Sequence, residues 1–189
     1  MINFDNYIPA PKAEFCSKLQ NLCDKLHISP EWLLAVMYVE SRINPYAVNK
    51  YSGATGLIQF MPATAKALGT TTAELLNMTA VDQLDYVYLY LKPYTGKMHS
   101  LMDVYFAIFF PAAIGKPADY VLQTSKLSAS LIASQNAGYD INSDGEITVA
   151  EVENKLYKIL DISHISSNLS SIILGGMILA VSIYLLTIK

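Results

Sequence analysis

The chain has 189 residues, of which 52% are hydrophobic and 15% charged, and its formal net charge is -3. That length holds one compact domain with appendages and buries most of its apolar surface. The acidic balance leaves no basic stripe with which to meet phosphates, so no nucleic-acid partner is expected.

The N-terminal stretch carries Asp5 early and has no apolar run of signal-peptide length. From Pro11 to Leu26 the residues Phe15, Leu19, Leu22 and Leu26 fall on one helix face. Cys16 and Cys23 sit two turns apart on that helix, ~10 Å between α-carbons, too far for a disulfide, and read as small buried hydrophobes. Ser29-Pro30-Glu31 opens a second helix with a capping side chain, a proline in the first turn and an acid against the positive helix end. This helix runs through Trp32, Leu33, Val36, Met37 and Glu40 and stops before Asn44-Pro45. Tyr51 to Gly56 reads as a loop. Pro62 starts a short helix ended by Gly69, and Thr71 with Glu74 has capping-box spacing. Leu84, Val87, Tyr88 and Leu91 make a further amphipathic helix closed by Pro93 and Gly96. Leu101 to Phe110 is apolar nearly all round and predicts a buried central helix ending at Pro111. No stretch alternates strongly enough for a strand. The expected fold is mainly α.

Two segments follow residue 126. Residues 127–160 carry an acidic loop and a short helix. Ile165 to Ile188 holds no charged residue, and Ile172–Ile188 is almost wholly apolar. At ~1.5 Å rise per residue this length approaches the ~30 Å hydrocarbon core. The expected organisation is therefore a helical domain at 1–126, a loop-helix at 127–160, and a linker with one C-terminal transmembrane helix at 161–189. Residues 170–188 would enter the lipid.

Leu33, Val36 and Met37 precede Glu40 by helical spacings, so its carboxyl shares their buried stripe. Desolvation and the negative helix end both raise its pKa, and a carboxyl kept protonated near neutrality can protonate a leaving glycosidic oxygen. Periodicity alone favours a half-exposed Glu at a helix end. Its neighbours decide between the two. Glu40-Ser41, Asn44 and Ala47, then Gly56-Leu57-Ile58-Gln59 followed by Pro62-Ala63-Thr64-Ala65, resemble the lytic transglycosylases of the goose-lysozyme-like superfamily. The likeness extends over about residues 10–125 and implies a lysozyme-like helical domain acting on peptidoglycan glycan strands.

The resemblance implies roles residue by residue. Glu40 would be the sole catalytic acid and base, and Ser52 and Gln59 would line the cleft. Tyr105 or Phe109 would supply an aromatic platform for a sugar ring or else pack in the core. Tyr120 would correspond to a tyrosine that supports the glutamate. Asp82, Asp85 and Asp103 read as solvated helix positions, which leaves Glu40 without the second carboxylate a hydrolase uses. The route implied is then intramolecular: the substrate's own 6-hydroxyl closes a 1,6-anhydro ring. The family's Ala-Tyr-Asn-Ala-Gly-Pro-like motif is altered here to Tyr105-Phe106-Ala107-Ile108-Phe109-Phe110-Pro111, a change that resembles phage virion lysins. The rival expectation is a weak or inactive lysozyme-like glycan-binding or structural virion component.

Asp140 to Glu151 fits a twelve-residue EF-hand loop. Asp140, Asn142, Asp144, the Glu146 carbonyl and Glu151 are its oxygen ligands, Gly145 makes the turn and Ile147 packs inside. A structural Ca²⁺ is expected there. A wall-cutting domain with a C-terminal anchor suits the membrane of a lipid-containing phage virion, among other virion proteins, or a bacterial inner membrane. Genome entry or host lysis would be its occasion.

Overall fold

A computed structural model of the protein describes residues 4–161. The anchor expected at Ile172–Ile188 lies outside them. Among the described residues the fold is helical, with eight α-helices: α1 (Lys12–Leu26), α2 (Pro30–Ser41), α3 (Pro62–Ala67), α4 (Thr72–Leu75), α5 (Ala80–Leu91), α6 (Leu101–Phe109), α7 (Ala129–Gln135) and α8 (Val149–Ile159). No described helix is long and apolar enough to cross a membrane. Extended pairing among these residues is confined to isolated bridges: Val48 with Thr55, Thr55 with Phe60, and Val121 with Thr148.

Local chemistry sets the helix ends. Thr79 accepts from the Asp82 amide while the Asp82 carboxylate accepts from the Thr79 amide, a full capping box for α5. Thr148 and Glu151 repeat the arrangement for α8. Ser29 departs from expectation. Its hydroxyl donates to the Glu31 carboxylate rather than capping a backbone amide, and Pro30 fixes the first turn of α2 instead. At the other end, Arg42 and Ile43 both adopt left-handed backbone, with φ of 60° and 58°. That conformation is uncommon for a β-branched residue. It is held by the Ile43 amide donating to the Met37 carbonyl and by complete burial of the Ile43 side chain.

Packing follows the predicted stripes. α1 lies against α5 and α2, and α2 lies against α6, whose residues Leu101 to Ala107 are all buried. Each fully buried Leu, Val or Phe in this cluster contributes up to about 1.5–3 kcal/mol. The cluster does not stop at residue 126. Ile132, Ile147, Val152 and Leu156 belong to it. The Leu122 amide donates to the Ile147 carbonyl (2.8 Å) and the Val149 amide to the Tyr120 carbonyl (3.0 Å), so the acidic loop is stitched to the chain leaving α6.

The expectation of solvated aspartates holds only in part. Asp82 and Asp85 are exposed, the first in its cap and the second paired with Lys18 at 2.8 Å. Asp103 is buried. Its carboxylate accepts from the His99 amide before α6 and from the Gly115 amide beyond it, both at 2.9 Å. A short acid at the first turn of α6 thereby fixes the loops at both ends of that helix, which periodicity could not disclose.

Candidate active site

Glu40 lies in the last turn of α2, one residue before the helix ends. Its carboxyl has no hydrogen-bond or ion-pair partner among the described residues. Burial alone pushes it up, from 4.5 to about 7. An isolated, desolvated carboxyl is favoured in its neutral form. It therefore holds a proton near neutrality, the state required of a general acid.

Next to it, Ser41 binds two segments together. Its buried hydroxyl reaches the Met37 carbonyl (3.0 Å) in its own helix and the Leu57 carbonyl (2.9 Å) in the loop opposite. The same loop is gripped from the far side by Gln83, a fully buried amide of α5. Gln83 Oε1 accepts from the Leu57 amide at 2.9 Å, and Nε2 donates to the carbonyls of Pro45 (2.7 Å) and Leu75 (2.9 Å). Gly56 makes room for that amide. A Cβ at residue 56 would lie 2.4 Å from Gln83 Oε1, and its φ of 81° is one that side chains disfavour. The loop beside Glu40 is thus fixed by polar contacts on both faces.

Gln59, also left-handed (φ 53°), is half-buried, and its Nε2 donates to the carbonyls of Ala47 and Gly56. Its first task is to hold the loop in shape. Ser52 stands on an exposed turn, its hydroxyl accepting from the Ala54 amide at 3.3 Å.

The negative charge of Glu40 raises the pKa of Tyr90 on α5, Tyr105 on α6 and Tyr139 after α7, with burial the larger cause for each. Of the two roles open to Tyr105, platform or core packing, the structure shows core packing. The ring is 1% exposed, and its hydroxyl bonds the Tyr139 hydroxyl at 2.5 Å. Phe109 stacks on Tyr105 and contacts Tyr139, with centroids 5.6 and 4.8 Å apart. Tyr120 does not join this group. Its hydroxyl donates to the Gln123 carbonyl, and Lys116 lies over its ring. The charge of Glu40 is felt by Tyr139 and Tyr90, neither of which the sequence reading singled out. Tyr90 sits among apolar neighbours on a helix and Tyr139 between Gly138 and Asp140, so nothing in their spacing marked them. A separate cavity of about 450 Å³, lined by Tyr7, Arg42, Asn44, Tyr46 and Thr79, opens beyond the end of α2 and does not include Glu40.

In the acidic loop, Asp140 accepts from the amides of Asp144 and Gly145, and Asp144 accepts from the Glu146 amide. Ser143 and Gly145 take positive φ, and Ile147 is buried. Glu151 turns back to the amides of Ile141 and Thr148. These bonds hold its carboxyl below its usual range even though burial pushes the other way. Among the described residues no three His, Cys, Asp or Glu side chains are grouped as a metal site. The oxygen-only set of Asp140, Asn142, Asp144, the Glu146 carbonyl and Glu151 is nonetheless of the hard kind that suits Ca²⁺.

Residues 19–105 match the transglycosylase SLT domain family. That segment runs from within α1 into α6 and contains Glu40, Ser52, Gln59 and Tyr105. The acidic loop and α8 lie outside it. None of the curated proteins compared with the chain matches it.

Proposed function

We propose that the protein is a lytic transglycosylase that cleaves the β-1,4 bond between N-acetylmuramic acid and N-acetylglucosamine in peptidoglycan, with Glu40 as acid and base. The observation that carries this is the Glu40 carboxyl, isolated and desolvated beside the loop that Ser41 and Gln83 fix, within a segment matching the SLT domain. The carboxylates of Asp82, Asp85 and Asp103 are each engaged elsewhere. This favours the anhydro-forming route, in which Glu40 protonates the leaving oxygen and then takes the proton of the sugar's 6-hydroxyl. Mass spectrometry of digested peptidoglycan tests it: 1,6-anhydro ends are expected, and reducing ends alone would make the enzyme a hydrolase. Glu40→Gln should keep the fold and lose at least about 10²-fold in rate. A variant that digests walls at a tenth of the wild-type rate removes Glu40 from this role.

Three further parts of the proposal rest on sequence. Ca²⁺ would be held by Asp140, Asn142, Asp144, the Glu146 carbonyl and Glu151, supplying cross-linking charge to the loop and no part of the bond cleavage. The apolar tail at 170–188 would anchor the enzyme in a membrane. The setting would be the membrane of a lipid-containing phage virion, where cutting the wall serves genome entry or lysis.

A further inference from the structure

The cavity beyond the end of α2 is built where the SLT-matching segment meets residues that precede it. Phe4 and Tyr7, from the N-terminal turn, pack on the Tyr38 ring with centroids 5.7 and 4.8 Å away. The guanidinium of Arg42 lies over the same ring, 4.2 Å from its centroid. Arg42 and Ile43 are two successive non-glycine residues in left-handed backbone, a strain that collects at functional sites. A guanidinium carries five N–H donors. Among the described residues one is used, toward the Tyr38 carbonyl at 3.4 Å, and the ion pairs there, Lys12 with Asp5 and Lys18 with Asp85, do not involve Arg42. Asn44 accepts from the Tyr46 amide through Oδ1 (2.9 Å), which leaves its Nδ2 to donate. The Thr79 hydroxyl is occupied by Asp82 in the α5 cap. The cavity, about 450 Å³, thus offers a cation without a carboxylate and an amide donor beside the exposed ring of Tyr46. We infer that it is a subsite for the peptide stem of peptidoglycan, in which Arg42 pairs with a stem carboxylate and Asn44 donates to the peptide. The inference rests on the substrate proposed above. Chemistry and reach both support it. A planar guanidinium binds a carboxylate through two parallel hydrogen bonds, whereas the glycan strand itself is neutral and gives it no charge to meet. Arg42 follows Glu40 by two residues, so their α-carbons are at most ~8 Å apart, and three extended residues span ~10 Å. A stem on the muramic acid next to Glu40 is long enough to reach the cavity, whose volume falls within the roughly 300–1,000 Å³ usual for small-ligand sites.

Calorimetric titration of the full chain with a muramyl peptide, N-acetylmuramic acid bearing a three-residue stem with free carboxylates, tests this apart from cleavage, because the probe has no glycosidic bond. The wild type should bind the probe, and Arg42→Met should weaken binding by about 10-fold or more, as the loss of a charge-assisted pair does. The same probe with its carboxylates amidated should bind the wild type about as weakly as the acid form binds Arg42→Met. In digestion assays the wild type should prefer peptide-bearing peptidoglycan to glycan strands stripped of their stems, and Arg42→Met should lower that preference. Melting curves establish that the variant is folded. Unchanged affinity or unchanged preference in folded Arg42→Met overturns the inference. So does a wild type that binds the acid and amidated probes equally or binds neither, a comparison that needs no variant to fold. A wild type that cleaves neither substrate counts against the proposed function, while the titrations still decide what the cavity takes.

Discussion

Replacing Gln83 with methionine keeps the volume and removes the amide. The Leu57 amide then loses its acceptor, and the Pro45 and Leu75 carbonyls lose their donor, in a place where the side chain is 0% exposed. A buried polar group left without a partner costs about 1–3 kcal/mol. Three of them, partly relieved by relaxation and entering water, come to roughly 3–6 kcal/mol, a large part of the 5–15 kcal/mol that holds a typical domain together. Chemical denaturation followed by far-ultraviolet circular dichroism measures the loss directly. At about 2–4 °C per kcal/mol for a chain of this size, the melting temperature should fall by at least about 6 °C. Wall clearing should fall too, because the same amide fixes the loop beside Glu40. A loss below about 1 kcal/mol with full activity would refute the reasoning, since the loop would then hold its place without Gln83.

Other outcomes follow from the same geometry. Folding favours the neutral form of Glu40, raised from 4.5 to about 7, so the folded chain binds more protons than the unfolded one between those values. Stability should therefore fall as pH rises through that window, by up to about 3 kcal/mol, and Glu40→Gln should flatten this part of the curve. Identical pH curves for the two proteins would show a solvated carboxyl. Added calcium should raise the melting temperature by mass action on the folded state, and Asp140→Ala with Glu151→Ala should erase the rise. No rise in the wild type would dismiss the metal. A chain ending at Asp161 should stay in the aqueous fraction and remain active, while the full chain should partition into detergent or lipid. Full-length protein that stays aqueous would count against the anchor.

The helices were legible because their signals are local. Apolar spacing placed α1, α2, α5 and α6, and proline marked the starts of α1 and α2 and the end of α6 to within a residue or two. Glu40 was legible because a run of neighbours, Ser41 through Ala65, carried its context. Two phenols that feel its charge, Tyr90 and Tyr139, were not. Tyr90, Tyr105 and Tyr139 come from three elements distant in sequence, and an aromatic at a packing position looks the same whether it lines a core or a catalytic carboxyl. Tyr120, chosen for its resemblance, instead serves the pairing that joins residues 118–122 to the acidic loop. Gln83 and Asp103 were obscure for a related reason. Each is a polar residue on a helix whose partners are backbone groups of distant loops, and backbone groups leave no trace in the order of side chains.

The continuous core has a consequence for the order in which the fold is completed. Chain synthesis delivers Glu40, its loop and α6 first, while Tyr139 and Lys155 emerge later. Until then the aromatic face of Tyr105 and Phe109 stays open to water, and Ile147, Val152 and Leu156 have yet to fill their share of the interior. A growing chain that has completed the SLT-matching segment thus still lacks the part of its interior that is supplied from beyond residue 126.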